Sequence, residues 1–322
     1  MIGILSHSRD VYFNLAAEEY LLKQKTDDVF MLWQSDTSVV VGKHQNTFAE
    51  INYYLVHENH IPVARRLSGG GTVFHGPGNL NFTFIRNGEP AKLVNFRKFI
   101  TPIIKYLETI GLHAEIGSKN ELLIGGVKIS GNAEHIFKNK VLHHGTLLYN
   151  ANLEFLMEYI KPVPGRYIDK AVQSNRSAVA NISSFLNRPP SIGDFLTGLL
   201  KFLQNYYQVN DIYIFNKKDL DDILQLRDKK YCTPAWIYSY SPPFEVRSKI
   251  EINEQKISLK IKVEKGVITD VFINDATTIE NLEEVSRKLL NQPFEYSRIS
   301  QLLSISGLLS DNQLSAFLRD LF

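Results

Sequence analysis

The chain has a single cysteine, Cys232, in 322 residues, so it cannot form an intrachain disulfide. That usage fits a reducing compartment. Cys232 stands between Tyr231 and Thr233 with no histidine nearby, which reads as a packed or incidental thiol rather than a nucleophile. Long apolar runs are missing too: no uncharged apolar run reaches the ~18 residues that a membrane span needs. Residues 1–15 carry Arg9 and Asp10 where a secretory leader would hold its apolar segment. Net charge is nearly absent, with 36 Lys+Arg against 34 Asp+Glu giving +2. No global field then draws the chain to nucleic acid or to an anionic membrane, and any anionic ligand must be held by local groups. Repeats and low-complexity tracts are absent. So are Cys-x-x-Cys and His-Glu-x-x-His spacings, and His57 with His60 has no further ligands close by. The expectation is a cytoplasmic chain that engages neither nucleic acid nor membrane and holds no protein-bound metal.

What is present is an ordinary apolar content of 44% over a length suited to one large domain and one small one. Periodicity predicts a helix over 14–25, strands over 29–33 and 38–42, a short helix near 48–59 and a strand at 62–66. A glycine-rich loop follows at 68–71. The next strand alternates clearly, with Leu80, Phe82 and Phe84 on one face and Asn81 and Thr83 on the other. Phe96, Phe99, Ile100, Ile103, Ile104, Leu107 and Ile110 mark a helix over 95–110, stopped by Gly111 and interrupted by Pro102. Gly125 and Gly126 are the strongest hairpin signal, joining strands at 121–124 and 127–130. Strands at 132–137 and 141–149 come next, then helices near 152–160, 191–206 and 217–229. Residues 161–177 contain Pro162, Pro164 and Gly165 and show little periodicity, and loops of that length are usually functional or disordered. A break at Pro242 and Pro243 precedes a strand meander (245–252, 256–264, 267–273) and helices near 279–290 and 311–320. The expected division is therefore 1–243 and 244–322, the second part a small α+β module that can be removed without opening the main core.

Three segments carry candidate chemistry. The run Arg65-Arg66-Leu67-Ser68-Gly69-Gly70-Gly71-Thr72-Val73-Phe74-His75 lets backbone approach a ligand closely, presents N–H groups to an anion and adds two guanidinium groups. It also fits a flexible hairpin loop beside a solvated arginine pair. It is neither a P-loop nor a dinucleotide fingerprint. Lys128 shares a strand face with Ser130, opposite Val127 and Ile129, and alternation alone favours a solvated lysine there. His143 and His144 are adjacent on a strand and so face opposite ways, which rules out their chelating one metal locally.

Taken together, these segments resemble the lipoate–protein ligase A family. The glycine run with Gly78-Asn79 looks like its lipoate-binding loop. Lys128-Ile129-Ser130-Gly131-Asn132-Ala133 looks like its lysine motif, and His143-His144-Gly145-Thr146-Leu147-Leu148 matches a further stretch. Lys170-Ala171-Val172-Gln173-Ser174-Asn175-Arg176-Ser177 is similar to its adenylate-binding loop, and Gly42, Gln45, Asn46, Asn14, Glu18 and Glu19 agree as well. The resemblance spans nearly the whole chain. It implies an α+β fold: a large mixed-sheet catalytic domain like the cores of biotin ligases and class II tRNA synthetases, plus a small C-terminal α+β domain.

The resemblance also implies an enzyme that forms an acyl-adenylate from lipoate and Mg-ATP, then lipoylates a lysine on a carrier domain. Lys128 would be the catalytic group. Arg66, Gly71, Thr72, Val73, Phe74, Lys128, Lys170 and Ser174 would meet ATP or the adenylate. Ser68, Gly69, Gly70, Gly71, His75, Lys128 and His144 would meet lipoate. The implied partners are lipoyl carrier domains of 2-oxoacid dehydrogenases and the glycine-cleavage carrier protein, with the ligase acting as a monomer. Glu121 stands where the family commonly has Asp, His135 where it can have Arg, and Ala180 where Thr is frequent. These departures bear on metal and ribose contacts. Two other readings stay open: a lipoyl or octanoyltransferase that cannot activate free acid, and a non-catalytic lipoate-binding protein. The stretch Val263-Glu264-Lys265-Gly266-Val267-Ile268-Thr269, similar to the full ligase's accessory domain, speaks against the first, and the intact Lys128 motif against the second.

Overall fold

The computed structural model describes residues 1–88, 95–160, 164–174, 177–252, 255–274 and 282–322. Its strands up to residue 148 are β1 (Ile2–Leu5), β2 (Val29–Trp33), β3 (Ser38–Val41), β4 (Val63–Arg65), β5 (Val73–His75), β6 (Asn79–Asn87), β7 (Glu115–Ile116), β8 (Leu122–Ile124), β9 (Val127–Phe137) and β10 (Lys140–Leu148). Seven of them form one mixed sheet in the order β1-β2-β6-β10-β9-β8-β7, with β1 and β2 parallel and the other neighbours antiparallel. A second sheet has the order β4-β3-β5. The expected strands 127–130 and 132–137 are one continuous strand, because Gly131 and Asn132 stay paired with Thr146 and Gly145.

The alternation read along β6 is real, but neither face meets solvent. Asn81 and Thr83 are as buried as Phe82 and Phe84. The phenylalanine face packs into a core with Phe99, Ile103 and Leu107 of the helix Phe96–Thr109 and Leu199 and Leu203 of the helix Ile192–Tyr207. The polar face of β6 is covered by the helix Val11–Gln24, whose residues Phe13 to Leu22 are all buried. A helix buried all round must satisfy its polar side chains internally. Asn14 does so through Ser6, Ser8 and Gln34, and Glu19 through Lys23, Lys230 and Tyr231. The helix Phe96–Thr109 runs through Pro102, its N-terminus capped by the Asn95 side chain on Lys98 N–H.

By chain contacts the protein divides into two compact units. The first is Met1–Lys43, Pro62–Met157 and Ser174–Cys232; the second is His44–Ile61, Glu158–Gln173 and Thr233–Phe322. In the second, β11 (Tyr167–Asp169), β12 (Phe244–Ile252), β13 (Gln255–Glu264) and β14 (Val267–Asn274) form an antiparallel sheet in chain order. Helices Leu282–Leu289, Tyr296–Ser306 and Asp311–Leu321 follow. β11 lies inside the segment read as irregular, its three residues being too few to show a period. Residues 161–163 and 175–176 of that segment, and 279–281 of the expected helix, lie outside the described residues. The helix Tyr296–Ser306 was not foreseen, since its serines are weak helix formers.

This division differs from a single break after residue 243, and aromatic packing is the reason. The Phe48 ring lies 4.9 Å from that of Phe294 and 5.7 Å from Phe244, and Tyr53 stacks on Phe322 at 5.0 Å. Residues from the 44–61 stretch therefore complete the core of the C-terminal sheet. Among the described residues no helix is long and apolar enough to cross a membrane.

Candidate active site

A cavity of about 360 Å³ opens in the first unit over β2, β6, β9 and β10. Leu15, Trp33 and Val40 are apolar residues of its lining, and Arg66, Gly70, Gly71, Thr72, Lys128, Ser174 and Ser177 line it as well. His75, Asn81, Asn132, His144 and Thr146 also line it.

Lys128 owes its place to an irregularity in pairing. Leu122 pairs with Ser130 but Leu123 pairs with Lys128, so β9 carries one extra residue there. Such a bulge re-aims the side chains on either side of it. On the other side, Lys128 N–H donates to Ala178 O at 3.3 Å and Lys128 O accepts from Ala180 N–H at 2.9 Å. The lysine backbone is thus held from two directions, and Ala180 takes part through its backbone alone. Burial lowers the Lys128 pKa, Glu121 opposes that shift, and Lys119 and Arg66 add to it. The solvated-lysine reading does not describe this residue.

The glycine loop is held from behind. Arg66 donates through Nε to Ser68 Oγ at 3.0 Å, through NH1 to Val40 O, and through NH2 to Gly69 O at 2.6 Å and Gly71 O at 2.7 Å. Thr72 N–H donates to Ser174 Oγ at 2.8 Å. Gly70 has φ +86°, a backbone conformation that only glycine adopts readily. Gly71 is needed for space instead: a Cβ there would lie 3.0 Å from Ser174 Oγ and 3.2 Å from its Cα.

Arg65 departs from expectation. It is fully buried and donates to Gly42 O and Lys43 O, so it shapes the backbone behind the loop and does not line the cavity. Adjacent strand residues face opposite ways, which is why a neighbouring pair did not make a double anion clamp.

The two histidines of the His143-His144 pair do face opposite ways. His143 Nδ1 lies 3.0 Å from Glu134 Oε1, with the Phe99 ring stacked on the imidazole at 5.1 Å. Burial pushes Glu134 up to about 7 and His143 down to about 3. His144 faces the cavity, its Nδ1 2.9 Å from Glu18 Oε2 and its Nε2 2.6 Å from Ser68 Oγ. His75 Nε2 is 3.0 Å from Thr146 Oγ1, and Thr146 donates to Asn81 Oδ1 at 2.7 Å. Burial first, then Arg66 and His144, hold the His75 pKa down at about 3. His135 is pushed down to about 4, chiefly by burial and then by Lys43.

Of the residues singled out in the sequence, the cavity wall gathers Arg66, Gly70, Gly71, Thr72, Val73, His75, Lys128, His144 and Ser174. Ser68 and Phe74 are buried behind the wall, and Gly69 is not among its lining residues. Lys170 is an exposed residue of the second unit. Sequence reading passed over Trp33, Asn81, Asn132 and Thr146 as site residues. Asn132 donates to Asn120 O at 2.9 Å, tying the turn that carries Lys119 and Glu121 to β9. For Asn81 the available signal was a polar residue on a strand that has no solvent face.

A partly dehydrated lysine sharing a cavity wall with a glycine loop and with apolar side chains defines a class of site: one suited to a small ligand that has both an anionic and an apolar part. Comparison with known proteins identifies the family. Residues 10–204 match the lipoyl protein ligase A/B catalytic domain and residues 241–318 the bacterial lipoate protein ligase C-terminus, and the chain belongs to this family. The lipoate-protein ligase LplJ of Bacillus subtilis is 35% identical over 299 residues, covering 91% of this chain and 90% of that protein. A structure of a bipartite lipoate protein ligase and its E2 lipoyl domain from Thermoplasma acidophilum superposes with a TM-score of 0.64 at 27% identity, covering 74% of this chain and 96% of that one. A lipoate-protein ligase A bound with ATP gives a TM-score of 0.63 at 25% identity, covering 74% and 99%.

Proposed function

We propose that this chain is a lipoate–protein ligase that activates lipoate with ATP to lipoyl-AMP and passes the lipoyl group to a lysine of lipoyl carrier domains. The observation that carries the proposal is Lys128, half-dehydrated and clamped on both sides of its backbone in the cavity wall. The ATP-bound relative supports the nucleotide, and the relative studied with an E2 lipoyl domain supports a carrier as acceptor.

In the first step a carboxylate oxygen of lipoate attacks the α-phosphorus and pyrophosphate leaves. Two anions must approach, and a lysine between them offsets the repulsion. One charge pair at ~4 Å is worth about 4 kcal/mol at an effective dielectric of ~20. Burial has already removed part of the water from Lys128, so incoming anions replace hydration that the folded protein does not supply. Because charge grows on the phosphoryl oxygens, part of this interaction lowers the barrier. The 70–73 loop lines the cavity together with Lys128, and Ser174, which accepts Thr72 N–H, and Arg66 hold that loop in shape. The fatty tail runs toward Leu15, Trp33 and Val40, past His75 and His144. In the second step the acceptor amine attacks the carbonyl of the mixed anhydride, AMP leaves, and Lys128 steadies the carbonyl oxygen.

Magnesium would enter with the ATP phosphates as part of that substrate. Among the described residues no cluster of three or more metal-ligating side chains occurs. Glu121 is the carboxylate that lines the cavity; one of its oxygens accepts Lys119 N–H at 2.8 Å. A single carboxylate beside substrate phosphates suits magnesium, which keeps much of its water, and the ion would neutralise the leaving pyrophosphate.

The test is pyrophosphate release with ATP and lipoate, followed by the mass of an added lipoyl carrier domain. Release plus a lipoylated carrier is the expected result. Transfer only from a preformed acyl donor would make the chain an acyltransferase, and lipoate binding with neither reaction would make it a binding protein.

A further inference from the structure

Behind the glycine loop lies an unbroken chain of buried hydrogen bonds. Trp33 Nε1 donates to Thr83 Oγ1 at 3.2 Å, and Thr83 donates to Glu18 Oε1 at 2.5 Å. Glu18 Oε2 meets His144 Nδ1 at 2.9 Å, His144 Nε2 meets Ser68 Oγ at 2.6 Å, and Ser68 accepts from Arg66 Nε at 3.0 Å. Arg66 then holds the carbonyls of Gly69 and Gly71. The six side chains from Trp33 to Arg66 are all buried.

Donor and acceptor roles follow along the chain. The Glu18 carboxylate accepts on both oxygens, so His144 Nδ1 carries the N–H. In the neutral ring Nε2 is then the lone pair, and it can only accept from Ser68. Having given its proton away, the Ser68 oxygen is oriented to receive Arg66. A fixed imidazole tautomer is thus translated into a fixed guanidinium, in the way that a hydrogen-bonded partner sets which nitrogen of a histidine acts.

We propose that Glu18 is a positioning residue for acyl activation: through His144, Ser68 and Arg66 it holds the 69–71 loop in the shape that receives the phosphate. Neither Glu18 nor Ser68 lines the cavity, so their effect reaches the ligand through the members that do: His144, Arg66 and the loop that Arg66 holds. The order Ser68, His144, Glu18 also matches a nucleophile, a base and its orienting carboxylate. Ser68 is fully buried and its oxygen is occupied by Arg66, so the geometry supports a strut and not an acyl-serine.

The inference rests on the ligase reading, and the experiment separates the two. Full-length wild type, Glu18→Gln, Ser68→Ala and the double variant are compared by amide hydrogen exchange of the peptide spanning residues 66–73, and by pyrophosphate release with ATP and lipoate. Glu18→Gln keeps the size but puts an amide donor where two donors already converge. Each single variant should speed loop exchange by ~10-fold or more while distant core amides keep their protection. In the active protein kcat/KM for ATP should fall by ~10²-fold, a typical cost of misplacing reacting groups by about 1 Å. The double variant should be no worse than the more impaired single one, since either cut breaks the same chain. Unchanged loop exchange in Glu18→Gln, strictly additive losses, or a lipoyl adduct on Ser68 would each overturn the proposal. If Glu18→Gln fails to fold, Ser68→Ala decides alone, and wild-type exchange and kcat/KM in that variant would overturn it. A wild type that exchanges as described but releases no pyrophosphate would sink the ligase reading instead.

Discussion

At Lys128 the sequence and the fold make different statements about one side chain. Alternation on a strand predicts a solvated lysine, whereas the bulge opposite Leu122 and Leu123 places it in a cavity wall where burial lowers its pKa. Replacing it with alanine should leave a folded protein whose pyrophosphate release falls by ~10²–10³, the usual cost of losing one donor to developing charge. Release at the wild-type rate from a folded Lys128→Ala protein would remove the residue from the mechanism. His75 supports a second expectation, about pH. Its folded pKa is held down at about 3 against an ordinary 6.5. Between those values the unfolded chain binds a proton that the folded chain refuses. Stability from this group is therefore complete above pH 6.5 and drains as pH falls toward 3. The slope is at most about 1.4 kcal/mol per pH unit. Urea unfolding of His75→Gln at pH 7, 6 and 5 should show a shallower fall than wild type; parallel slopes would contradict the assignment.

Among elements, the loop between β4 and β5 shows how two neighbouring glycines meet different demands. Gly70 supplies a positive φ, and Gly71 leaves room for Ser174. Alanine separates them. Gly70→Ala should cost about 1 kcal/mol or more from backbone strain. Gly71→Ala should instead push Ser174 off the loop and weaken nucleotide binding with little change in the unfolding midpoint. Calorimetry with ATP and thermal melts distinguish the two, and equal effects at both positions would mean that the loop is only a turn. In the same cavity the lining residues Leu15, Trp33 and Val40 offer bulk and little polarity. Such walls discriminate weakly, by roughly 10–200-fold per methylene-sized group. Octanoate should accordingly be a usable but poorer acid, and a preference for lipoate beyond about 10⁵-fold would call for a polar contact to its ring.

For the whole molecule, the division into units changes what truncation is expected to do. A break at Pro242 and Pro243 suggests a module that can be removed cleanly. The 244–322 segment, however, contributes Phe244, Phe294 and Phe322 to the rings around Phe48 and Tyr53. Burying each such ring is worth about 1.5–3 kcal/mol. A chain ending at residue 243 should thus expose residues 44–61 to rapid proteolysis, while the sheet carrying Lys128 keeps its exchange protection. Protease resistance at 44–61 in that truncated chain would show that the stretch folds without its C-terminal cover.

Much is legible in the sequence itself, and for a physical reason: periodicity, turns and caps are encoded within a few residues. The helix around 96–109, the Gly125-Gly126 hairpin, the C-terminal meander and the opposed faces of His143 and His144 all follow from spacings of two, of three to four, or of adjacent residues. The glycine run and the lysine were visible as motifs for the same reason. What tertiary structure alone decided depends on groups far apart in the chain. Glu18 meets His144 across 126 residues and Ser68 meets His144 across 76, and no local pattern reports either contact. Arg65 and Arg66 look equivalent in sequence, yet one shapes buried backbone while the other holds the loop, because pairing between β3 and β4 assigns their faces. Residues 44–61 read as part of the larger domain until their aromatic rings found partners near the C-terminus. The sequence by itself determined most of the elements and the family to which the chain belongs. The tertiary structure decided which side chains share an environment, since burial and long-range pairing exist only once distant segments have met.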